Sequence, residues 1–207
     1  MSGRKPAPES EQPESFAFND EMKARADKII AKYPAGRQAS AVMPLLDLAQ
    51  RQHDGWLPRA AMDHVADVLD MPPIRVYEVA TFYTMYNLAP VGQHFVQVCT
   101  TTPCWLRGAN EIMDACVNHL GVKPGEVTAD GKFSVIEVEC LGACVNAPMM
   151  QINDDYYEDL SPESAVAVLD SLAKGEKPKI GPQSARHTSE PAGGLTSLTE
   201  FQNAGGD

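Results

Sequence analysis

The stretch VECLGACVNAP, residues 138–148, contains two cysteines with three residues between them, Cys140 and Cys144. Gly142 lies between the two and allows the backbone to bend sharply beside their sulfur atoms, because glycine reaches left-handed backbone angles without steric cost. Zinc knuckles and redox dithiols more often separate their paired cysteines by two residues. The wider gap leads us to look for further cysteines that join this pair.

A second pair of cysteines, Cys99 and Cys104, lies upstream, and the complete spacing is C-x4-C-x35-C-x3-C. The segments HFVQVCT (94–100) and FSVIEVEC (133–140) are predicted as strands, and residues 104–120 between them are predicted as a helix. Each cysteine pair therefore flanks the turn after a strand. In a compact βαββα sheet both turns emerge at the same edge, so the pattern predicts one metal site with four thiolate ligands.

The spacing favours a [2Fe-2S] cluster but does not identify the metal. Zinc and iron both accept four sulfur ligands in tetrahedral geometry. A binuclear cluster whose two irons each take two thiolates suits the wide gaps, and plant-type ferredoxins also begin with a C-x4-C gap. Zinc stays the second alternative, and disulfides or unrelated cysteines stay the third.

The residues around the cysteines predict surroundings suited to an anionic cluster. Amide groups around Gly142 and the threonine hydroxyls of residues 100–102 are candidate hydrogen-bond donors to the sulfurs. The predicted helix opens at Cys104 and directs the positive end of its dipole to the same place. Cys116 lies on the apolar stripe of this helix and is predicted to be a core residue. Four apolar side chains are expected to exclude water from the site: Trp105, Leu141, Ala143 and Val145.

Four segments are predicted along the chain. Residues 1–17, rich in Pro, Glu and Ser, predict a flexible arm, and residues 18–90 carry helical periodicity and predict a helical domain. Residues 91–174 predict the domain that contains the sheet, and residues 175–207 predict an irregular C-terminal tail. The predicted fold class is therefore α+β.

The composition excludes several classes of function. The chain of 207 residues has 28 acidic and 17 basic residues and a net charge of −11, so it lacks the basic surface that nucleic acids or anionic membranes require. Its apolar runs are far shorter than the about 20 residues that cross a bilayer. The start, MSGRKPAPESEQPES, has acids and prolines where a secretory or transit peptide would not. We therefore expect an intracellular bacterial protein, or a mature organellar chain, whose cysteines are metal ligands rather than disulfides.

The two segments that carry the cysteines, VCTTTPCWLRGANEI (98–112) and IEVECLGACVNAPMMQIND (136–154), resemble the thioredoxin-like [2Fe-2S] subunits of NADH:quinone oxidoreductase, the respiratory complex I. PPIRVYEVATFYTMYN (72–87) is similar to the same family, as are GP (181–182) and EPAGGLTSL (190–198) in the tail. The resemblance implies an N-terminal helical bundle followed by a thioredoxin-like βαββα [2Fe-2S] ferredoxin domain.

The same resemblance implies the ligands, the partner and the location. It implies that one [2Fe-2S] cluster is held by Cys99, Cys104, Cys140 and Cys144, and that Cys116 is not a ligand. The chain would have no substrate site of its own, and its sequence contains no G-x-G-x-x-G after a strand. A partner subunit would bind NADH and FMN, and the cluster would exchange single electrons with that FMN, off the main electron path. The expected location is the peripheral arm of a complex at the bacterial inner membrane, on the cytoplasmic side, or the matrix side in mitochondria, without membrane insertion of this chain.

Two alternatives to a complex I subunit stay open. Shorter relatives serve NAD-linked formate dehydrogenases and hydrogenases, and the resemblance implies that they lack the ending at 190–198, so the tail favours complex I. The rival from another class is a thiol-disulfide or zinc-stabilised binding module, although the first gap is too long for a redox C-x-x-C motif.

The aromatic segment TFYTMY (81–86) is predicted to be core packing, with contact to the flavin subunit as the alternative.

Overall fold

The computed structural model of the chain describes residues 5–194 and 196–197. The chain divides into two compact units, Met1–Gln93 and His94–Asp207, each with its own hydrophobic core. The sequence places this division at 90–91, and the structure places it at 93–94. Leu195 and Leu198 of the tail segment that resembles complex I members lie outside the described residues.

The first unit is the predicted helical bundle. It contains the helices α1 (Asp20–Ile30), α2 (Val42–Gln52), α3 (Arg59–Val68) and α4 (Pro73–Phe82), and two short 3-10 helices at Glu9–Glu11 and Gln38–Ala41. The Asn19 side chain caps α1 by accepting a hydrogen bond of 2.8 Å from the Met22 amide. Each helix buries an apolar face, and the largest fully buried side chains of the unit are Leu45, Leu46, Leu57, Val65, Val76 and Tyr86.

The segment predicted as a flexible arm makes specific contacts in its described part. The Ala7 amide donates a hydrogen bond of 2.9 Å to the Leu88 carbonyl, and Ala7 is buried. Both terminal nitrogens of Arg59 donate to the Glu9 carboxylate, at 3.0 and 3.1 Å. Residues 5–17 thus pack on the helical bundle, while the flexibility of residues 1–17 stays a prediction.

The aromatic segment at the end of α4 is less buried than predicted. Tyr86 lies in the core and its hydroxyl donates a hydrogen bond of 2.8 Å to the Met43 carbonyl. Phe82, Tyr83 and Met85 are exposed instead, and they lie at the last residue of α4 and in the segment that follows it. The prediction of core packing is therefore correct for Tyr86 and wrong for the exposed residues.

The second unit is built on a five-stranded sheet. Its strands are β1 (His94–Cys99), β2 (Phe133–Val138), β3 (Met150–Ile152), β4 (Asp155–Glu158) and β5 (Gly181–Pro182), in the order β2-β1-β3-β4-β5. The strands β1 and β2 are parallel, whereas β3 runs antiparallel to β1 and to β4. Parallel strands require a crossover between them, and α5 (Thr102–Leu106) and α6 (Ala109–Leu120) provide it. The helix α7 (Pro162–Ala173) follows β4 and contacts α6.

Three elements differ from the predicted βαββα order. The strand β4 was not predicted, and it pairs with β3. The single helix predicted at 104–120 is two helices, because Gly108 has a left-handed φ of 99° that interrupts the helical path. The first of these helices begins at Thr102, so Cys104 is its third residue and lies in its first turn. The predicted irregular tail also contributes the strand β5, which pairs with β4.

The core of the second unit lies between the sheet and the long helices. Its fully buried side chains include Val96, Val98, Ile112, Met150 and Leu169. Cys116 has no exposed surface and packs in this core, which confirms the prediction for the fifth cysteine. Within the part of the chain that the structure describes, no helix combines the length and apolar character that crossing a bilayer requires.

Candidate metal centre

The carboxyl ends of β1 and β2 lie side by side, because parallel strands end at the same edge of the sheet. The register pairs Cys99, the last residue of β1, with Val138, the last residue of β2. The Cys99 amide donates a hydrogen bond of 3.3 Å to the Met149 carbonyl just before β3. The turn after β1 and the turn after β2, which carry the two cysteine pairs, therefore start from neighbouring positions.

The structure brings the four predicted cysteines together at this edge. The Sγ atoms of Cys140 and Cys144 lie 3.5 Å apart, and the Cys104 thiol hydrogen-bonds to Cys99. The two pairs are connected as well, since the Leu141 amide donates a hydrogen bond to the Cys99 sulfur. Cys99 and Cys104 are buried, whereas Cys140 and Cys144 are exposed.

The distance within the exposed pair fits two thiolates on one tetrahedral metal. Metal–sulfur bonds of about 2.3 Å place two such sulfurs about 3.8 Å apart, close to the 3.5 Å between Cys140 and Cys144. Among the described residues, no group of three or more His, Cys, Asp or Glu side chains is arranged to hold a metal ion. A binuclear cluster takes two thiolates on each of its two irons, and the four cysteines at this edge supply that number.

In the buried pair, the pKa of Cys99 is lowered and the pKa of Cys104 is raised. Burial raises the pKa of the Cys99 thiol, but hydrogen bonds from the Thr101 side chain and from the amides of Leu141 and Thr101 outweigh this effect. With a further bond from Cys104, they hold the Cys99 pKa below its usual value. Burial, followed by the hydrogen bond to Cys99 and the charge of Cys99, raises the pKa of Cys104 to about 12. Cys104 thus donates its proton towards the Cys99 sulfur.

In the exposed pair, too, one thiol has a lowered pKa and the other a raised pKa. The Gly142 amide donates a hydrogen bond of 3.4 Å to the Cys140 sulfur, and this bond, with further ones from Cys144 and Thr101, lowers the Cys140 pKa. The hydrogen bond to Cys140 raises the pKa of Cys144. Metals bind thiolates and not thiols, so a metal in this site displaces the protons that now bridge each pair.

Two of the predicted hydrogen-bond donors reach the sulfurs. Gly142 has a φ of 83°, which is a left-handed conformation that suits glycine, and this turns its amide towards Cys140. The Thr101 hydroxyl lies 3.4 Å from the Cys99 sulfur and also contacts Cys140, so that one side chain touches both pairs. The Thr100 hydroxyl instead donates to the Glu137 carboxylate.

The expected exclusion of water is correct for two of the four apolar residues. Leu141 and Ala143 pack with the buried cysteines. Trp105 and Val145 are 56% and 66% exposed, and Leu106 is 69% exposed, so these side chains lie on the surface. Trp105 and Leu106 lie on α5 directly after Cys104, and Val145 directly follows Cys144. An exposed apolar surface therefore adjoins the cysteines.

Three residues that hold the cysteine turns were not predicted. Tyr156 on β4 donates a hydrogen bond of 2.8 Å to the Leu141 carbonyl. Asn146, 3% exposed, and Arg186 in the tail are joined by a hydrogen bond of 3.0 Å just after Cys144. The polar Asn146 within the apolar run VNAPMM is a usable signal in the sequence, whereas nothing near Arg186 in the sequence indicates its contact with this turn.

Comparison with known proteins gives matches over most of the chain. The family described as thioredoxin-like [2Fe-2S] ferredoxin matches residues 26–173. A subunit of the NADH-quinone oxidoreductase of Rickettsia bellii (strain RML369-C) is 61% identical over 158 residues, which are 76% of this chain and 95% of the relative. NADH dehydrogenase [ubiquinone] flavoprotein 2, mitochondrial, of Dictyostelium discoideum is 54% identical over 185 residues, which are 89% of this chain and 75% of the relative.

A solved structure shares the fold at low sequence identity. The crystal structure of an NAD+-reducing [NiFe]-hydrogenase in the H2-reduced state superposes with a TM-score of 0.55 at 20% identity. The match covers 65% of this chain and 23% of the hydrogenase chain. At this identity the likeness shows a common fold.

Proposed function

Because the chain belongs to the thioredoxin-like [2Fe-2S] ferredoxin family, we propose that it is the electron-transfer subunit of NADH:quinone oxidoreductase that carries one [2Fe-2S] cluster. The observation that carries this proposal is the meeting of two cysteine pairs at one sheet edge, in a chain 61% identical to a bacterial NADH-quinone oxidoreductase component. The chain is a subunit of a larger NADH dehydrogenase complex and has no substrate chemistry of its own.

The proposed ligands are the four cysteines at the edge of the sheet, Cys99, Cys104, Cys140 and Cys144. When bound, a [2Fe-2S] cluster supplies a centre that takes up and returns one electron. The Thr101 hydroxyl and the Gly142 amide donate to these sulfurs and stabilise their negative charge. Cys116 is not among the proposed ligands, because it packs in the helix-sheet core, whereas Cys99 and Cys104 pack together in a separate group of buried side chains at the sheet edge.

We propose that the partner is the subunit that binds NADH and FMN, and that it covers the exposed side of the site. Cys140 and Cys144 are exposed, so a redox partner that docks there reaches the site without opening this chain. Trp105 and Leu106, which follow Cys104, and Val145, which follows Cys144, offer exposed apolar surface for such a contact. The proposed location is the peripheral arm of the complex, outside the bilayer.

An NAD-linked hydrogenase or formate dehydrogenase is the second candidate for the complex. The hydrogenase superposition supports a common fold but not a common complex, because the identity is 20%. The much higher identities, 61% and 54%, are to subunits of NADH dehydrogenases. Complex I is therefore the better supported assembly.

The cluster is tested by chemical analysis of the chain purified without oxygen. We expect a red-brown protein with about two irons and two acid-labile sulfides per chain. An EPR signal should appear on reduction. A colourless protein with one zinc per chain and no sulfide would overturn the proposal and leave a zinc-stabilised binding module.

The assembly is tested by isolating the complex from the native host through a tag on this chain. We expect copurification of a subunit with bound FMN and NADH:quinone activity in the intact complex. Copurification of a hydrogenase or formate dehydrogenase catalytic subunit instead would select the second candidate.

A further inference from the structure

The tail after β5 returns to the turn that carries Cys144. Nη1 of Arg186 donates one hydrogen bond of 3.0 Å to the Val145 carbonyl and another of 3.0 Å to Oδ1 of Asn146. Val145 and Asn146 directly follow Cys144 in the chain. A single guanidinium group therefore holds the backbone and a side chain of the segment that leaves this cysteine.

Arg186 is itself held in place by an ion pair. Its Nε lies 3.2 Å from Oδ2 of Asp159, and the two side chains are only 12% and 10% exposed. The Ser184 hydroxyl donates to the same carboxylate oxygen at 2.9 Å, and the Asp159 amide donates to the Asn146 carbonyl at 2.8 Å. Removing one partner of such a buried pair leaves the other charge without compensation, which is costly, unlike the loss of an exposed pair.

Asn146 connects the same segment to two further parts of the chain. Its Nδ2 donates to Oε2 of Glu158 at 2.6 Å and to the Thr188 carbonyl at 2.8 Å. The network thus joins the cysteine turn, the end of β4 and residues 184–188 of the tail. The hydrogen bonds of this network are made to Val145 or Asn146, which follow Cys144, or to Asp159, which pairs with Arg186.

We propose that Arg186 is a positioning residue for the cluster, and that the tail segment 184–188 is part of the metal site. This inference rests on the proposed function, since it treats Cys144 as a ligand. The Leu141 side of the turn is tied to the sheet by Tyr156, and Arg186 ties the Asn146 side. Without Arg186, Val145 and Asn146 lose the hydrogen bonds that fix the backbone just after Cys144, so the Cys144 sulfur is less firmly held beside that of Cys140.

Arginine suits this role better than lysine. The guanidinium group reaches two oxygens with Nη1 while its Nε edge faces Asp159. A lysine has one nitrogen at the end of a flexible stem, so it keeps the charge near Asp159 but cannot hold the Val145 and Asn146 oxygens in the same fixed geometry. Arg186→Lys should therefore restore only part of what Arg186→Ala loses.

The test compares the full-length chain with the variants Arg186→Ala and Arg186→Lys. The control is Arg75→Ala, which removes an exposed Arg75–Glu78 pair of 2.8 Å in the helical unit. Three properties are measured on each protein: the rate of iron release to a chelator, the EPR g values after reduction, and the melting temperature. In the metal-free proteins, the rate at which iodoacetamide alkylates Cys144 is followed by mass spectrometry.

We expect Arg186→Ala to release iron about tenfold faster than the parent, because bonds to a charged group are lost. It should also show altered g values and faster Cys144 alkylation, with Arg186→Lys between it and the parent and Arg75→Ala equal to the parent. A lower melting temperature with unchanged iron release and g values would show a structural role only and overturn the inference. If Arg186→Ala is insoluble, Arg186→Lys decides by the same measurements. A parent chain without iron would instead refute the proposed function.

Discussion

The hydroxyl of Tyr156 donates a hydrogen bond of 2.8 Å to the carbonyl of Leu141. The amide of Leu141 in turn donates to the Cys99 sulfur, so Leu141 connects the sheet to the opposite cysteine pair through its own backbone. Tyr156 lies on β4, where it pairs with Gln151 of β3. A strand that contains no cysteine therefore helps to set the distance between the two pairs.

Tyr156→Phe tests this connection. The variant removes one hydroxyl and should lower the free energy of unfolding by about 1 kcal/mol, and it should shift the EPR g values because the Leu141 amide is no longer held against Cys99. The control is Tyr33→Phe, since Tyr33 packs on the core of the helical unit. Unchanged g values and reduction potential in Tyr156→Phe would show that the strand does not influence the site.

The ligand assignment predicts opposite effects for two buried cysteines. Cys104→Ser should abolish or severely perturb the visible absorbance and the EPR signal, because it removes one of four proposed thiolates. Cys116→Ala should leave both spectra intact and lower the free energy of unfolding by about 1 kcal/mol, because a small buried group is lost. Equal loss of iron from the two variants would overturn the assignment.

Gly142→Ala separates backbone strain from damage to the site. A Cβ at this position meets no atom within 4 Å, so its effect comes from the φ of 83°. This conformation costs a residue with a side chain about 1–2 kcal/mol, and relieving the strain turns the Gly142 amide away from Cys140. We expect lower stability together with a changed reduction potential.

Gly36→Ala is a matched control for this variant. Gly36 has a φ of 77° and equally open surroundings, but it lies in the helical unit. It should lose a similar amount of stability while the reduction potential stays constant. A common shift of the potential in both variants would mean that the Gly142 amide has no specific role.

The helical unit should lose stability at alkaline pH through Tyr86. Burial, followed by the charges of Asp47 and Tyr83, raises the pKa of this hydroxyl to about 12, against about 10 in an unfolded chain. The neutral form is favoured by the fold, so the contribution is fully present below about pH 10 and is lost as the pH rises towards about 12. The parent should therefore lose about 1.4 kcal/mol by about pH 11 from this group.

Tyr86→Phe provides the comparison by denaturant unfolding at several pH values. At neutral pH the variant should be less stable by about 1 kcal/mol, because the hydrogen bond to Met43 is absent. The difference should shrink or reverse near about pH 11, where only the parent has a buried phenol to ionise. Parallel pH profiles for the two proteins would contradict the assigned cause.

The sequence by itself predicts the elements that depend on local patterns. Period-2 runs of β-branched residues predict β1 and β2, and an apolar stripe at helical spacing predicts a buried Cys116, as observed. Each cysteine pair follows a strand, so the meeting of the two turns follows once the strands are parallel neighbours. The Gly142 amide contact is predictable too, because glycine can adopt the left-handed backbone that turns its amide towards a neighbouring sulfur.

The tertiary structure decides the contacts between segments that are distant in the chain. Nothing local to Arg186 indicates that it binds the carbonyl of Val145, 41 residues away, or that Tyr156 holds Leu141. The local sequence does not predict the exposure of Trp105 either, because its burial depends on which other segments pack against it. The reason is physical: spacing along the chain sets backbone periodicity and the order of ligands, whereas hydrogen bonds between loops depend on distances that exist only after the sheet has formed.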